Sequence, residues 1–379
     1  MMFTEHELER YSRHFVLPEI GIDGQQKLKQ ARVLIVGAGG LGSPVGLYLA
    51  AAGVGTIGIV DDDTISVSNL QRQILYSSND VGKQKALVAR DRLLSLNPTI
   101  NAVSHPVRLN SSNALSLLGE YDIVADCSDN FPTRYLINDA CVLSKKRNVY
   151  GSVFRFEGQV TVFDPFGGPC HRCLFPMPPP SELVQDCSQA GVLGVLTGIV
   201  GALQANEIIK LILMKGKPLT GRVLMVNALT ASFQELQVRR DPSCPVCGTD
   251  PSLTSLIDYE QFCAAGDSSH DIGSAESEIT VRELKLRFDK HDPIALLDVR
   301  EPFERAICTL GGLHVPLGEL ERRKSELDPS RDLVVYCHHG IRSRVAAAML
   351  KRSGFCDVKN LAGGIDAWAH EIDTAMPQY

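Results

Sequence analysis

Two hydrophobic rhythms alternate along the chain. Short runs of β-branched and aliphatic residues, Ala31 to Val36, Thr56 to Val60 and Tyr121 to Asp126, are separated by stretches with apolar positions at helical spacing, one ending at Ala52 and another running from Lys85 to Leu96. Strands and helices laid down in turn predict an open α/β sheet. The most apolar stretch, Gly191 to Met214, is interrupted by Gln204, Asn206, Glu207 and Lys210, so it reads as a long core helix or a buried helix pair and no membrane span is expected. Pro165 to Pro180 breaks the alternation, because Pro178, Pro179 and Pro180 exclude a regular helix. That segment reads as an ordered loop or crossover.

From about Gly248 the chain turns small, polar and acidic, which is linker composition. A second α/β pattern follows: EITVRELKLRF as a helix with Thr280 as its cap, IALLDVR and DLVVYC as strands, SRVAAAMLKRSG as a helix. The expected organisation is residues 1–250, a linker over 251–277, and a small domain over 278–379. A length of 379 residues suits two cores better than one.

Composition narrows the partners. With 38 basic against 44 acidic residues and no long Lys/Arg block, a direct nucleic-acid partner is not expected. The first residues lack the apolar run of a signal peptide, and eleven cysteines without an export signal point to a reducing, cytoplasmic setting and to metal or thiol chemistry.

The first chemical signal is VLIVGAGGLG, which sets Gly37, Gly39, Gly40 and Gly42 between a strand and a helix. Such a turn lets phosphate approach backbone N–H groups at a helix N-terminus. Asp61 follows the next strand, where a carboxylate can accept from ribose hydroxyls. NAD and ATP both satisfy these features. The strings SNLQRQ, with Asn69, Arg72 and Gln73, and VGKQKA, with Lys83 and Lys85, add cations that hydride transfer does not need but displacement of pyrophosphate does. Asp129, in DCSDN, lies where a carboxylate can hold Mg²⁺, while Asp126 can do this or cap the next helix.

In order and separation, GAGGLG, DxDxxxxSNLxRQ, VGxxKA and DCxDN resemble the superfamily that activates ubiquitin-like proteins, specifically the bacterial adenylyltransferases of molybdopterin and thiamine biosynthesis, over Leu8 to Gly248. The resemblance implies a Rossmann-like adenylation domain using ATP, with Asp61 on ribose, Asn69, Arg72 and Lys85 on phosphates, Asp129 on Mg²⁺, and Arg13 reaching across a homodimer. It also implies a partner, a small ubiquitin-fold sulfur carrier ending in Gly-Gly.

Cys170-x-x-Cys173 and Cys244-x-x-Cys247 are two pairs able to form a tetrahedral S₄ shell for structural Zn²⁺, matching the zinc knuckle of the same enzymes. Cys187 belongs to neither pair. It reads equally as a buried thiol or, by the resemblance, as a secondary reactive one. Cys337 ends a strand, and HHGIRS leads into a helix whose positive end favours a thiolate, with Arg342 and Arg344 expected to strengthen that field. DVREPFE, the CxxGxRS loop and NLAGGIDAW make residues 278–379 resemble a rhodanese module, in which Cys337 would carry a persulfide loaded by a donor such as a cysteine desulfurase. Asp298 and Arg300 look structural there, and Trp368 a core or interface anchor. The joint expectation is adenylation of a carrier's C-terminal glycine followed by sulfur transfer, most simply for molybdopterin. Thiamine or cysteine synthesis, tRNA thiolation, and a non-catalytic nucleotide-sensing scaffold are the alternatives.

Overall fold

The computed structural model describes residues 3–178, 191–264 and 278–377, and the chain divides into two compact units that meet in sequence near Gly266. In the first unit, eight strands stand in the order β3-β2-β1-β4-β5-β6-β7-β8. β1 (Arg32–Val36), β2 (Thr56–Val60), β3 (Asn101–His105), β4 (Ile123–Asp126) and β5 (Arg147–Phe154) are parallel; β6 (Glu157–Phe163), β7 (Arg222–Asn227) and β8 (Ser232–Gln237) add an antiparallel extension. β1 after Arg32 and β4 up to Asp126 are continuous apolar runs, buried on both faces, as befits the covered parallel part of a sheet. The chain moves outward from β1 to β3, then returns to the other side of β1 at β4, so strand order reverses between β1 and β4. That reversal opens a crevice at the carboxyl ends.

Helix α1 (Gly42–Ala52) springs from the glycine loop and stops at Gly53, whose φ of 80° gives the left-handed C-cap. Helices α2 (Lys85–Leu96) and α3 (Phe131–Leu143) follow β2 and β4. The apolar stretch is one helix, α4 (Gly194–Leu213), not a pair, and among the described residues it alone is long and apolar enough to cross a bilayer. It is a core helix here: Leu196, Val200 and Ile208 are fully buried, and the Gln204 amide donates to the Asp126 and Val149 carbonyls at 2.9 and 3.0 Å. Gly151 makes room for that amide, since a Cβ there would sit 2.4 Å from it.

The polar composition after Gly248 does not mark the end of this unit. α5 (Tyr259–Ala264) packs on α3, and the buried Tyr259 hydroxyl donates to Asp139 Oδ2 at 2.8 Å. Asp139 in turn forks onto Arg172, with Nη2 to Oδ2 at 2.7 Å. Tyr259 and the partly buried Leu256, Ile257, Phe262 and Cys263 join the core cluster on α3, a few apolar anchors in a polar stretch, which is why composition alone reads it as linker.

The second unit is a five-stranded parallel sheet, β11-β10-β12-β13-β9, built from β9 (Glu278–Ile279), β10 (Ala295–Asp298), β11 (Leu313–His314), β12 (Leu333–Tyr336) and β13 (Val358–Leu361). Glu278 and Ile279, expected to open a helix, instead pair with Asn360 and Leu361. The helix α6 (Val281–Asp289) begins only after Thr280, which caps it in a reciprocal box with Glu283. α7 (Ile341–Arg352) and α8 (Gly364–Glu371) follow β12 and β13. Trp368 is core: its ring lies 5.7 Å from that of Phe288 on one face of the sheet.

Candidate functional site

The crevice is a cavity of about 370 Å³ lined by the glycine loop, the Asp61 to Asp63 turn, Arg72, Lys85 and the start of α3. Its glycines do different jobs. Gly37 has a φ of 94° and runs so close to β4 that a Cβ would meet the Cys127 carbonyl at 2.7 Å. A Cβ on Gly42 would lie 2.0 Å from the Gly37 carbonyl, which keeps the turn closed. At Gly39 the nearest atom is Gln73 Nε2 at 3.6 Å, so the space there belongs to the cavity. Tyr76, which sequence reasoning missed, braces the loop by donating to the Ala38 carbonyl at 2.7 Å.

Asp61 Oδ2 accepts from the Ala38 N–H at 2.7 Å and Oδ1 from the Asp63 N–H at 2.9 Å, so its carboxylate is fixed at the end of β2 with lone pairs to spare. Burial pushes its pKa above the ordinary carboxylate value, against the pull of Lys85 and the two N–H groups. Lys85 is itself buried and paired with the exposed Asp63 at 2.8 Å. Arg72 lines the cavity with its guanidinium on the Ser68 carbonyl at 3.1 Å. Asn69 does not line it; its Oδ1 accepts from the Ser66 N–H and closes a single helical turn. Arg13 is exposed on the short helix Ser12–Phe15 and is not part of the lining either.

The two aspartates after β4 separate cleanly. Asp126 is fully buried, accepts from Ser128 N–H and Oγ at 3.1 and 2.6 Å, and has its pKa raised by burial. It closes its own turn, while Asn130 caps α3 by accepting from Thr133. Asp129 is the carboxylate that faces the cavity. Two further cations, Arg108 and Arg134, were not anticipated: both line the cavity, and Arg134, one turn into α3, donates to the Ser128 carbonyl at 3.2 Å.

Cys170, Cys173, Cys244 and Cys247 converge, all four Sγ atoms lying within 4.8 Å of one another. The pairs Cys170–Cys244, Cys173–Cys247 and Cys170–Cys173 stand 3.6, 3.4 and 3.9 Å apart. A tetrahedral zinc tetrathiolate with bonds of about 2.3 Å needs sulfur separations of roughly 3.8 Å, so the cluster is a metal-sized S₄ cage. The Asp241 N–H donates to Cys173 Sγ at 3.3 Å, the outer-sphere bond such a thiolate needs. Cys187 lies outside the described residues.

In the second unit, Cys337 follows β12 and is only 1% exposed. Its sulfur accepts from the Gly340 N–H at 3.2 Å and Ser343 Oγ at 3.3 Å, a small cradle at the start of α7. The two arginines that follow it are each paired with a carboxylate. Arg342 is held by Glu304 in a buried two-point pair at 2.7 and 2.6 Å, and Arg344 pairs with Glu278 at 2.9 Å. The Gly340 N–H, the Ser343 hydroxyl and the start of α7 place donors at the sulfur. Burial, then Arg342, oppose each other at Glu304, and its pKa ends below the ordinary value. Asp298 and Arg300 form a fully buried structural pair at 2.9 and 2.7 Å. Burial and the neighbouring His339 bring His338 down to about 4, leaving it neutral near pH 7.

A glycine cradle at a strand-order reversal, a cation-rich cavity and a separate sulfur cradle together define an adenylating enzyme joined to a sulfur-handling domain. Residues 11–246 match the ThiF family and residues 280–371 the rhodanese-like domain. The chain belongs to the ThiF family and is an adenylyltransferase and sulfurtransferase. It is 45% identical over 99% of its length to the probable adenylyltransferase/sulfurtransferase MoeZ of Mycobacterium tuberculosis, covering 96% of that protein. Over 69% of its length it is 55% identical to the sulfur carrier protein adenylyltransferase of Thermus thermophilus, covering 99% of it. Among solved structures, Escherichia coli MccB with ATP superposes with a TM-score of 0.55 at 26% identity, covering 63% of this chain and 74% of that one.

Proposed function

We propose that the first unit adenylates the C-terminal glycine of a small ubiquitin-fold sulfur carrier, and that the second delivers sulfur to the activated carbonyl, in molybdopterin synthesis before other pathways. The observation that carries this reading is the pairing, in one chain, of a cation-lined glycine cavity with a cradled nucleophilic sulfur. The name of the Thermus relative supports a sulfur carrier as substrate, and ATP in MccB supports the nucleotide.

ATP would lay its ribose on Asp61 and its phosphates over Gly39, where an open cavity meets backbone N–H groups. The carrier carboxylate attacks the α-phosphorus, and the bond to the β-phosphate oxygen breaks, giving carrier acyl-AMP and pyrophosphate. Arg72 and Lys85 would stabilise the charge that builds on the departing phosphates; Lys85 would exchange its exposed partner Asp63 for phosphate. Asp129, exposed in the cavity, would hold Mg²⁺, which offsets phosphate charge when bound. Zn²⁺ fits the S₄ cage by its sulfur separations and would be structural, because four thiolates leave no open position. Arg13 and Asn69, both outside the cavity of one chain, would act only in a homodimer or after the turn opens.

The terminal sulfur of a Cys337 persulfide, loaded by a desulfurase-type donor, then attacks the acyl carbon and AMP leaves. A thiolate, with Cys187 the proposed source, attacks the Cys337 sulfur of the resulting acyl disulfide. The carrier departs as thiocarboxylate, and the new disulfide is reduced by an external thiol. Incubation with single candidate carriers, ATP and a sulfur source tests this by mass: the true carrier gains the difference between one sulfur and one oxygen. If no carrier stimulates ATP–pyrophosphate exchange, the reading fails. If exchange occurs but the rhodanese-type sulfur goes to thiamine, cysteine or RNA precursors instead, the pathway assignment fails.

A further inference from the structure

Around the sulfur cradle stands a group of side chains that neither half of the proposed reaction uses. His338 and His339 follow Cys337 directly, their rings 3.9 Å apart, and both face Asp366 on α8. His338 Nε2 lies 3.9 Å from Asp366 Oδ1, and His339 Nδ1 lies 3.6 Å from Oδ2. We propose that His338, His339 and Asp366 form a binding site for a first-row divalent cation such as Zn²⁺, Co²⁺ or Ni²⁺, on the rim of the persulfide loop and separate from the four-cysteine cage.

Two imidazoles and one carboxylate are the donor set such ions accept while keeping positions open for water or an incoming ligand. The donors are already gathered: one ring nitrogen from each histidine and a carboxylate oxygen lie within 4.8 Å of one another, so contraction onto an ion takes side-chain rotation alone. Their backbones are pinned too. The Ile365 N–H donates to the Cys337 carbonyl at 2.9 Å and the Asp366 N–H to the His338 carbonyl at 3.0 Å. Gly364 permits this docking, for a Cβ there would meet the His338 carbonyl at 2.1 Å. One turn further on, His370 Nδ1 bonds the Asp366 carbonyl at 2.9 Å and lies 3.6 Å from Oδ1, steering the carboxylate from behind as outer partners of a ligand do.

Position gives the site a consequence. A dication held by the two residues after Cys337 would fix the loop to α8 and add positive charge beside the sulfur. Sulfur transfer would then respond to metal load, and Cys337 itself would not be a ligand, since its sulfur is not among the gathered atoms.

The test uses the full chain with its cysteine cage filled by zinc. Co²⁺ is titrated in and followed by visible absorption and by equilibrium dialysis. One further equivalent should bind with a nitrogen-and-oxygen spectrum lacking thiolate-to-cobalt charge transfer. Cys337→Ser should keep that equivalent. Asp366→Asn, which preserves shape, should weaken it at least about tenfold, and His338→Gln with His339→Gln should remove it, with calorimetric unfolding of the second unit confirming that each variant is folded. Absence of a further equivalent in the parent chain overturns the proposal. So does binding that survives both substitutions, or that disappears with Cys337→Ser.

Discussion

The two chemical sites share one plan and use it in opposite ways. Each is a parallel strand, a glycine-bearing turn and a helix whose first N–H groups face an electron-rich atom. In the first unit the turn is left open, and its cations either reach the cavity or are held by an exposed partner, as Lys85 is by Asp63. In the second the cradled sulfur is 1% exposed, and Arg342 is locked by buried Glu304. An enzyme that binds a diffusible anion keeps its charges available. One whose anion is its own side chain can pair nearby cations internally and set N–H and O–H donors at the sulfur.

The most severe way to separate the two sites is Cys337→Ser, which should abolish sulfur transfer and leave carrier-dependent pyrophosphate exchange at the parental rate. Loss of both activities would mean the units are not chemically distinct. Next in size, Glu304→Ala strands a buried guanidinium and should cost the second unit about 3–5 kcal/mol, whereas Asp63→Asn, removing the exposed partner, should cost the first about 0–1 kcal/mol. Thermal unfolding of the two variants measures the contrast, and equal losses would break it. Arg72→Ala should slow exchange about 10²–10³-fold without affecting thiosulfate-dependent sulfur release from Cys337.

Acid should weaken both units, through different groups in each. His338 binds its proton near pH 4 when folded and near pH 6.5 when unfolded. Between those values the unfolded chain holds the extra proton, so the second unit loses stability as pH falls. Glu304, also lowered, adds to this at lower pH. In the first unit His171, brought down to about 3 by burial and by Arg134 and Arg172, and His105, also lowered by burial, act in the same sense, while the raised Asp61 and Asp126 oppose them. Calorimetry between pH 7 and 4 reads the loss in each unit. A modest effect is expected at Gly39→Ala: the nearest atom to the added methyl, outside the adjoining residues, is Gln73 Nε2 at 3.6 Å, so ATP binding should weaken about tenfold with no change in melting temperature.

Sequence carried the local parts of this design and lost the distant ones. Gly37 to Gly42, the CxxC pairs and the Cys337 loop are legible because each motif is short and its backbone demands specific residues. Asp298 and Arg300 are two residues apart and were readable as a pair. Arg342 and Glu304 are separated by 38 positions, and Asp139 and Tyr259 by 120, so nothing local reveals that their charges and hydroxyl are already committed. The same limit hides that the Asn69 side chain closes a turn, and it left Arg134 unnoticed in α3.

Tyr259 has a bearing on how such a two-part chain can be taken apart. Severing it at Thr249, where polarity rises, would strip the cap from Asp139 and Arg172 and bare the apolar flank of α3. A faithful excision of the first unit must therefore retain residues through Ala264.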